Sequence, residues 1–392
     1  MAGYLFSLSD ASSLRETMRR CTYSTLVNTT WNLQVQSTLG DYVTMSAGDA
    51  VYFFSERKVY GIGRLVSIEG NDVVMENFKG VTAKGELSAD RCEGRPLVEP
   101  AFQTVTQNSR PVTRVMRWVI AFEPSPCMFA RGIDMDDLLS SDPVALRSIR
   151  TFWKRSFIKL DDREDTAFRA AILRRNLEAL RLYEARSQRT ERPYLAEHER
   201  IRALAEGADT SLKMRELFAS VRRPTGAFSS EMMVEVAILY QLSQHDEDSE
   251  RVFGRWDYLS HQVHASPYKP VDYMDKMDVF GYRYIEGYEP VIEKYLVMEV
   301  KAGTATGDDL QQVMKYVDWV TQEYANGDYS LVSAFLVARN FNSGTVKSEM
   351  PTTERHGLVG YRPPVPYRWN DITLVRYSAD RDGVVRFAEH RP

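Results

Sequence analysis

The stretch that most constrains this chain runs from Met277 to Tyr316. Two segments with strand character, Met277 to Ile285 and Tyr295 to Val300, flank the turn-rich connection Glu286-Gly287-Tyr288-Glu289-Pro290. Asp278 opens the first segment, and Glu299 and Lys301 close the second. Strand side chains alternate between faces, so Glu299 and Lys301 project with Val297 while Leu296, Met298 and Val300 fill the other face. Antiparallel pairing of the two segments would set Asp278 beside Glu299. Two carboxylates at one strand end make a hard oxygen site suited to Mg²⁺, with Mn²⁺ as a substitute. An ammonium on the same face can orient a water or stabilise charge building on a phosphate. Asp275 competes for the first acidic position, but an apolar strand directly follows Asp278. A turn bracketed by Gly303 and Gly307 is expected after Lys301. A helix from Asp308 should follow, with Gln312 and Tyr316 one turn apart on one face.

Around this stretch the pattern predicts a helix over 229–244, capped by Ser229 or Ser230, and a strand over 257–264. Strands are expected over 277–285 and 294–301, then a helix over 308–326 and a strand over 330–338. On the first helix Glu235 shares a face with Met232, Ile238, Leu239 and Leu242; a carboxylate there is costly without a partner. His261 and His264, three apart on a strand, point to opposite faces and read as structural. Asn340 to Pro366 reads as a long loop, followed by strands over 372–378 and 384–387.

Asp278, Glu299 and Lys301 match the D…E-x-K signature of the PD-(D/E)XK nuclease superfamily, and Gln312 to Tyr316 resembles the Q-x-x-x-Y motif of its RecB-like members. Met277 stands where the nominal proline would be. The resemblance covers 229–392 and implies a restriction-endonuclease-like αβββαβ core. It also implies that Asp278 and Glu299 hold Mg²⁺, Lys301 positions the attacking water, and Glu235, Gln312 and Tyr316 assist. Members of this superfamily often pair to cut two strands, so a homodimer is expected.

The remainder divides into an N-terminal part, 1–160, and a helical linker, 161–228. In the first, Gly48, Asp49, Val51 to Phe54, Tyr60, Gly61, Gly63 and Val66 resemble the PUA-like superfamily, nearest its EVE branch. This implies a β-barrel that reads one base, often a modified one, between aromatic walls; Trp31, Tyr52 and Trp118 are the candidates. Gly61 and Gly63 allow close approach of a base or of another strand. The acidic run Asp134 to Asp137 reads as a helix N-terminus. The helices after Asp161 carry arginines that either grip phosphates or form a mixed-charge solvated face.

The whole chain, 392 residues with a formal net charge of −4, shows no global basic field, so any nucleic-acid surface must be local. Its cysteines, Cys21, Cys92 and Cys127, are widely spaced without a C-x-x-C pair, which fits a reducing cytosol better than a zinc site or disulfide frame. There is no signal-peptide pattern, and no apolar run approaches the roughly 20 residues of a membrane span. The expectation is a cytoplasmic α/β (α+β) protein: an Mg²⁺-dependent endonuclease acting on DNA, base-modified DNA included, in restriction or antiphage defence. The alternatives are a non-catalytic nucleic-acid reader and an RNA-directed nuclease.

Overall fold

The computed structural model describes residues 2–28, 32–68, 70–80, 87–91, 103–107, 110–151, 157–186, 192, 194–265, 275–360 and 362–391. Trp31 and Cys92 lie outside them. Contacts divide the chain into two units: Met1–Thr38 with Met45–Lys213, and Leu39–Thr44 with Met214–Pro392.

The strands of the first unit are β1 (Gly3–Ser7), β2 (Thr22–Asn28), β3 (Ala50–Ser55), β4 (Lys58–Val66), β5 (Val74–Gly80), β6 (Leu87–Arg91), β7 (Gln103–Gln107), β8 (Arg110–Pro124), β9 (Ile133–Asp134) and β10 (Phe157–Leu160). Its helices are α1 (Ala11–Arg20), α2 (Leu33–Tyr42), α3 (Met135–Ser141), α4 (Asp162–Arg175), α5 (Leu177–Arg186) and α6 (Tyr194–Ala205); α2 runs on into the residues of the second unit. Among the described residues these strands form a ten-stranded sheet along the path β10-β1-β3-β4-β8-β5-β6, with β2 and β7 also paired to β8 and β9 to β4. β1 and β3 run parallel, and the β3–β4 pair turns through Glu56 and Arg57, both left-handed at φ 49° and 61°.

Side-chain caps explain several helix starts. The Asp10 carboxylate accepts the Ser12 and Ser13 N–H groups at 2.9 Å, and Asp134 accepts the Asp136 N–H at 2.9 Å. The acidic run is thus a helix N-terminus, and Asp136 and Asp137 pair with Arg57 and Arg175. Asp161 and Glu164 form a capping box at α4.

The helices within 161–228 divide between the units. Phe168, Ala171 and Ile172 of α4 complete a buried cluster with Leu5, Tyr52 and Leu160. Ile201 and Ala205 of α6 pack with Met75, Phe78 and Val119. Ending the first unit at residue 160 would strip apolar cover from both clusters. On these helices Arg169, Arg175, Arg200 and Arg202 each pair with an acid, which is the mixed-charge face.

The second unit contains α7 (Met214–Val221), α8 (Glu231–Ser243), α9 (Glu247–Phe253), β11 (Tyr258–His264), β12 (Lys276–Tyr284), β13 (Ile292–Ala305), α10 (Gly307–Glu323), β14 (Val332–Phe341), α11 (Ser343–Glu349), β15 (Arg355–Val359), β16 (Val365–Trp369), β17 (Ile372–Ala379) and β18 (Val385–Glu389). Six strands form a sheet of order β11-β12-β13-β14-β17-β18, and β15 pairs with β16 apart from it. Its first three strands are antiparallel neighbours, while β13, β14 and β17 are parallel. With helices and mixed sheets, the chain belongs to the mixed α/β class.

Two expectations need correction here. No turn follows Lys301: β13 continues to Ala305, because Thr304 and Ala305 find ladder partners in Asn340 and Phe341 after a register shift. Residues 340–366 are not a plain loop: Asn342 accepts the Thr345 N–H at the start of α11, and the β15–β16 hairpin follows. Gly307 opens α10 where a Cβ would lie 2.6 Å from the Glu349 Cγ and 3.0 Å from the Thr345 carbonyl oxygen. Gly307→Ala is expected to destabilise the protein by about 1–3 kcal/mol, read by thermal unfolding, because backbone cannot retreat as a side chain does.

Among the described residues no helix is long and apolar enough to cross a membrane, and Cys21 and Cys127 are free thiols.

Candidate metal centre

Strand register assembles the site. Val279 faces Met298 and Phe280 faces Val297, so the next step sets Asp278 opposite Glu299. On the other side of β12, His261 faces Val279 and Val263 faces Met277, which sets Gln262 opposite Asp278. Gln262, Asp278 and Glu299 therefore form a row across three neighbouring strands. Phe280 and Tyr295, on the same face by alternation, pack on Tyr324, which follows α10. Helix α10 thus covers the face that carries the carboxylates. Helix α8 packs on β11, β12 and β13 and is buried from Met232 through Leu239, with Glu235 among the inaccessible residues.

Polar contacts tie the row together. One Asp278 oxygen accepts the Val300 N–H at 2.8 Å, and the other accepts the Gln262 amide at 3.1 Å. The same amide nitrogen lies 3.1 Å from both Glu235 oxygens. Lys301 Nζ donates to Glu299 Oε1 at 2.6 Å and stands 3.6 Å from Asp309 Oδ1. Glu299 Oε2 is buried and has no hydrogen-bond partner among the described residues. Gln312 Nε2 donates to the Tyr316 hydroxyl at 2.8 Å, which leaves the hydroxyl proton free to donate elsewhere. Asp275, the competing acid, is exposed, as is Lys315.

The electrostatics are those of crowded acids. Burial, then the charges of Glu235 and Glu299, hold the Asp278 carboxyl well above its ordinary range. Burial raises Glu299 to about 7, against the pull of Lys301. Burial works against the Lys301 ammonium, but Glu299, Glu231 and Asp278 outweigh it and raise its pKa. Burial raises the Tyr316 phenol, and the charges of Glu299 and Asp278 add to this.

Behind the row, His261 is fully buried, with Nδ1 3.7 Å from Glu235 Oε2 and Nε2 3.4 Å from Asp41 Oδ1. Burial opposes its charge, yet Asp41 and Glu235 raise it to about 9. Gln262, which follows His261 within β11, has φ 52°. A left-handed non-glycine residue costs of order 1–3 kcal/mol and persists where surrounding contacts hold it.

Does this set fit the divalent ion expected for it? Among the described residues no group of three or more His, Cys, Asp or Glu side chains is arranged to hold a metal. The Gln262 amide stands between Glu235 and Asp278, and Lys301 covers one oxygen of Glu299. Asp278 and Glu299 nevertheless fit as a pair of donors. They are hard oxygens side by side, their protonation is raised by burial and mutual repulsion, and one buried oxygen lacks a partner. A cation relieves all three conditions at once.

The site thus brings together Asp278, Glu299, Lys301 and Glu235 from different elements, and α10 brings Tyr316, held by Gln312, within reach of the carboxylate charges. The aromatic candidates of the first unit fare differently. Tyr52 and Trp118 are both 0% exposed, so neither presents a ring face to a base. Tyr52 instead donates to Asp165 Oδ1 at 2.6 Å inside the core. Gly61 and Gly63 sit in the β3–β4 pair, where Cβ atoms would meet Phe53 at 3.2 Å and Met128 at 2.9 Å, so they serve strand packing. Sequence reasoning missed Gln262 and Asp41. A glutamine in a strand carries no signal, and Asp41 precedes His261 by more than half the chain.

No family model, no curated protein and no solved structure matches this chain.

Proposed function

We propose that the second unit is a divalent-metal-dependent nuclease of the PD-(D/E)XK kind, with a restriction-endonuclease-like core. The observation that carries this reading is the row across β12 and β13: Asp278 bound to the Val300 N–H at 2.8 Å and Lys301 on Glu299 at 2.6 Å. The element order α8-α9-β11-β12-β13-α10-β14, which is the expected αβββαβ succession with the short α9 added, supports it. Asp278 and Glu299 would hold Mg²⁺ or Mn²⁺, which polarises a phosphoryl oxygen and makes a nearby water more acidic. Lys301, with its charge secured by Glu299 and Glu231, orients that water and offsets charge building on the phosphate. Glu235 adds negative field beside Asp278. Tyr316, held by Gln312, donates its free proton to a phosphate oxygen.

The first unit, in this reading, is a PUA-like module that selects a DNA target, with base-modified DNA in restriction or antiphage defence as the setting. The burial of Tyr52 and Trp118 moves any base pocket to other residues. The full chain is tested with modified and unmodified DNA and RNA, in Mg²⁺ and in EDTA. Metal-dependent cutting of DNA is expected. Binding without cutting would make the protein a reader, and cutting confined to RNA would make it an RNA-directed enzyme.

A further inference from the structure

The nuclease reading leaves Gln262, His261 and Asp41 without a task, although they make a connected polar arrangement behind the carboxylates. Gln262 reaches two carboxylates with one amide, at 3.1 Å to each of three oxygens. Its backbone is left-handed, which glycine or asparagine would adopt more readily. Strand register continues unchanged on both sides of it, so the conformation is not forced by a shift of pairing. An amide is also the neutral choice at this position: it holds like-charged groups together without cancelling their field, as lysine or arginine would.

The support behind Glu235 is equally specific. The His261 ring lies between Glu235 and Asp41. Gly40 leaves room for it, since a Cβ there would lie 2.9 Å from two ring atoms. The same short segment, Leu39–Thr44, is tied to α8, the helix that carries Glu235, by the Ser243 hydroxyl donating to the Val43 carbonyl at 2.7 Å.

We propose that Gln262 is a positioning residue that sets Glu235 and Asp278 for the cation, and that Asp41 supports it by holding His261 against Glu235. The inference rests on the nuclease reading, because it assigns these residues a role toward that ion. It also makes residues 39–44 part of the site, so a fragment beginning after Lys213 lacks one of its supports.

The test uses the full chain, with Mn²⁺ affinity measured by calorimetry and thermal unfolding recorded without metal. Gln262→Gly accepts the left-handed backbone, and that relief offsets part of the lost amide bonds, so it should fold and melt within a few degrees of the wild type. Its Mn²⁺ affinity should nonetheless fall by about tenfold or more, as for lost partners of metal ligands elsewhere. Gln262→Asn keeps an amide and should recover part of the loss, which a purely structural role would not produce. Asp41→Asn should weaken Mn²⁺ in the same direction by a smaller factor; unchanged affinity removes Asp41 from the proposal. Equal affinity in wild type and Gln262→Gly would overturn the positioning role and leave the nuclease reading standing. Absence of Mn²⁺ binding by the wild type would overturn both.

Discussion

Lys301→Ala is expected to lower the rate of phosphodiester cleavage by roughly a thousandfold, the usual scale for removing a group that stabilises developing charge. Nucleic-acid affinity should stay within about threefold, because the loss falls on the transition state and not on ground-state binding. The distinction follows from where the ammonium stands. It is largely enclosed and held 2.6 Å from Glu299 Oε1, inside the row of carboxylates and not on an open phosphate-binding surface. Alanine removes no metal donor, so Mn²⁺ binding should persist in the variant. Single-turnover cleavage and equilibrium binding on the same duplex separate the two effects. A variant that cuts at the wild-type rate takes Lys301 out of the chemistry; a variant that neither binds nor cuts makes it a binding residue.

Without divalent cation, stability should fall steadily as pH rises from 5 toward 9, and added Mg²⁺ or Mn²⁺ should restore it most strongly at the alkaline end. The sign comes from three groups. His261 is raised from 6.5 to about 9 by Asp41 and Glu235 against burial, so its contribution is complete below 6.5 and lost as pH rises through 9. Glu299 is raised from 4.5 to about 7, chiefly by burial, so the fold favours its neutral form and loses that preference as pH rises through 7. Asp278 is raised in the same sense by burial and by Glu235 and Glu299. All three shifts act in one direction. A cation binds the ionised carboxylates, so its effect grows as they ionise. At a hundredfold excess over its dissociation constant it adds about 2.7 kcal/mol, a rise of roughly 5–10 °C for a unit of this size. Glu299→Gln should remove most of that rise, because it neutralises one donor. Differential scanning at pH 5.5 and 8, with Mg²⁺ or EDTA, decides the matter. A melting temperature indifferent to both ions at pH 8 would deprive the carboxylate pair of its assigned task.

Much of this site was legible in the linear chain because its determinants are local. Glu299 and Lys301 share a face through the two-residue alternation of β13, and Gln312 and Tyr316 meet through the helical repeat of α10. Even the Asp278–Glu299 pairing needed only two adjacent strands and the turn between them. The elements expected at 229–244, 257–264, 277–285 and 308–326 formed as α8, β11, β12 and α10. Where the reading failed, the missing information lay far along the chain. Gly303 suggested a turn, but β14 supplied ladder partners that carried β13 to Ala305. Tyr52 and Trp118 suggested exposed rings, but both are fully buried in the first unit, Tyr52 in the cluster with Leu5 and Phe168.

Periodicity and residue type by themselves determined the strand-borne acids, the amine beside them and the mixed α/β character, since each depends on neighbours within a few residues. Only the tertiary structure decided that Gln262 turns left-handed to bridge Glu235 and Asp278, and that Asp41 returns to back His261. Those contacts join residues with no local relation. Their stability comes from hydrogen bonds and charge pairing that offset the cost of burying these groups, and from packing that exists only once the sheet and α8 have assembled.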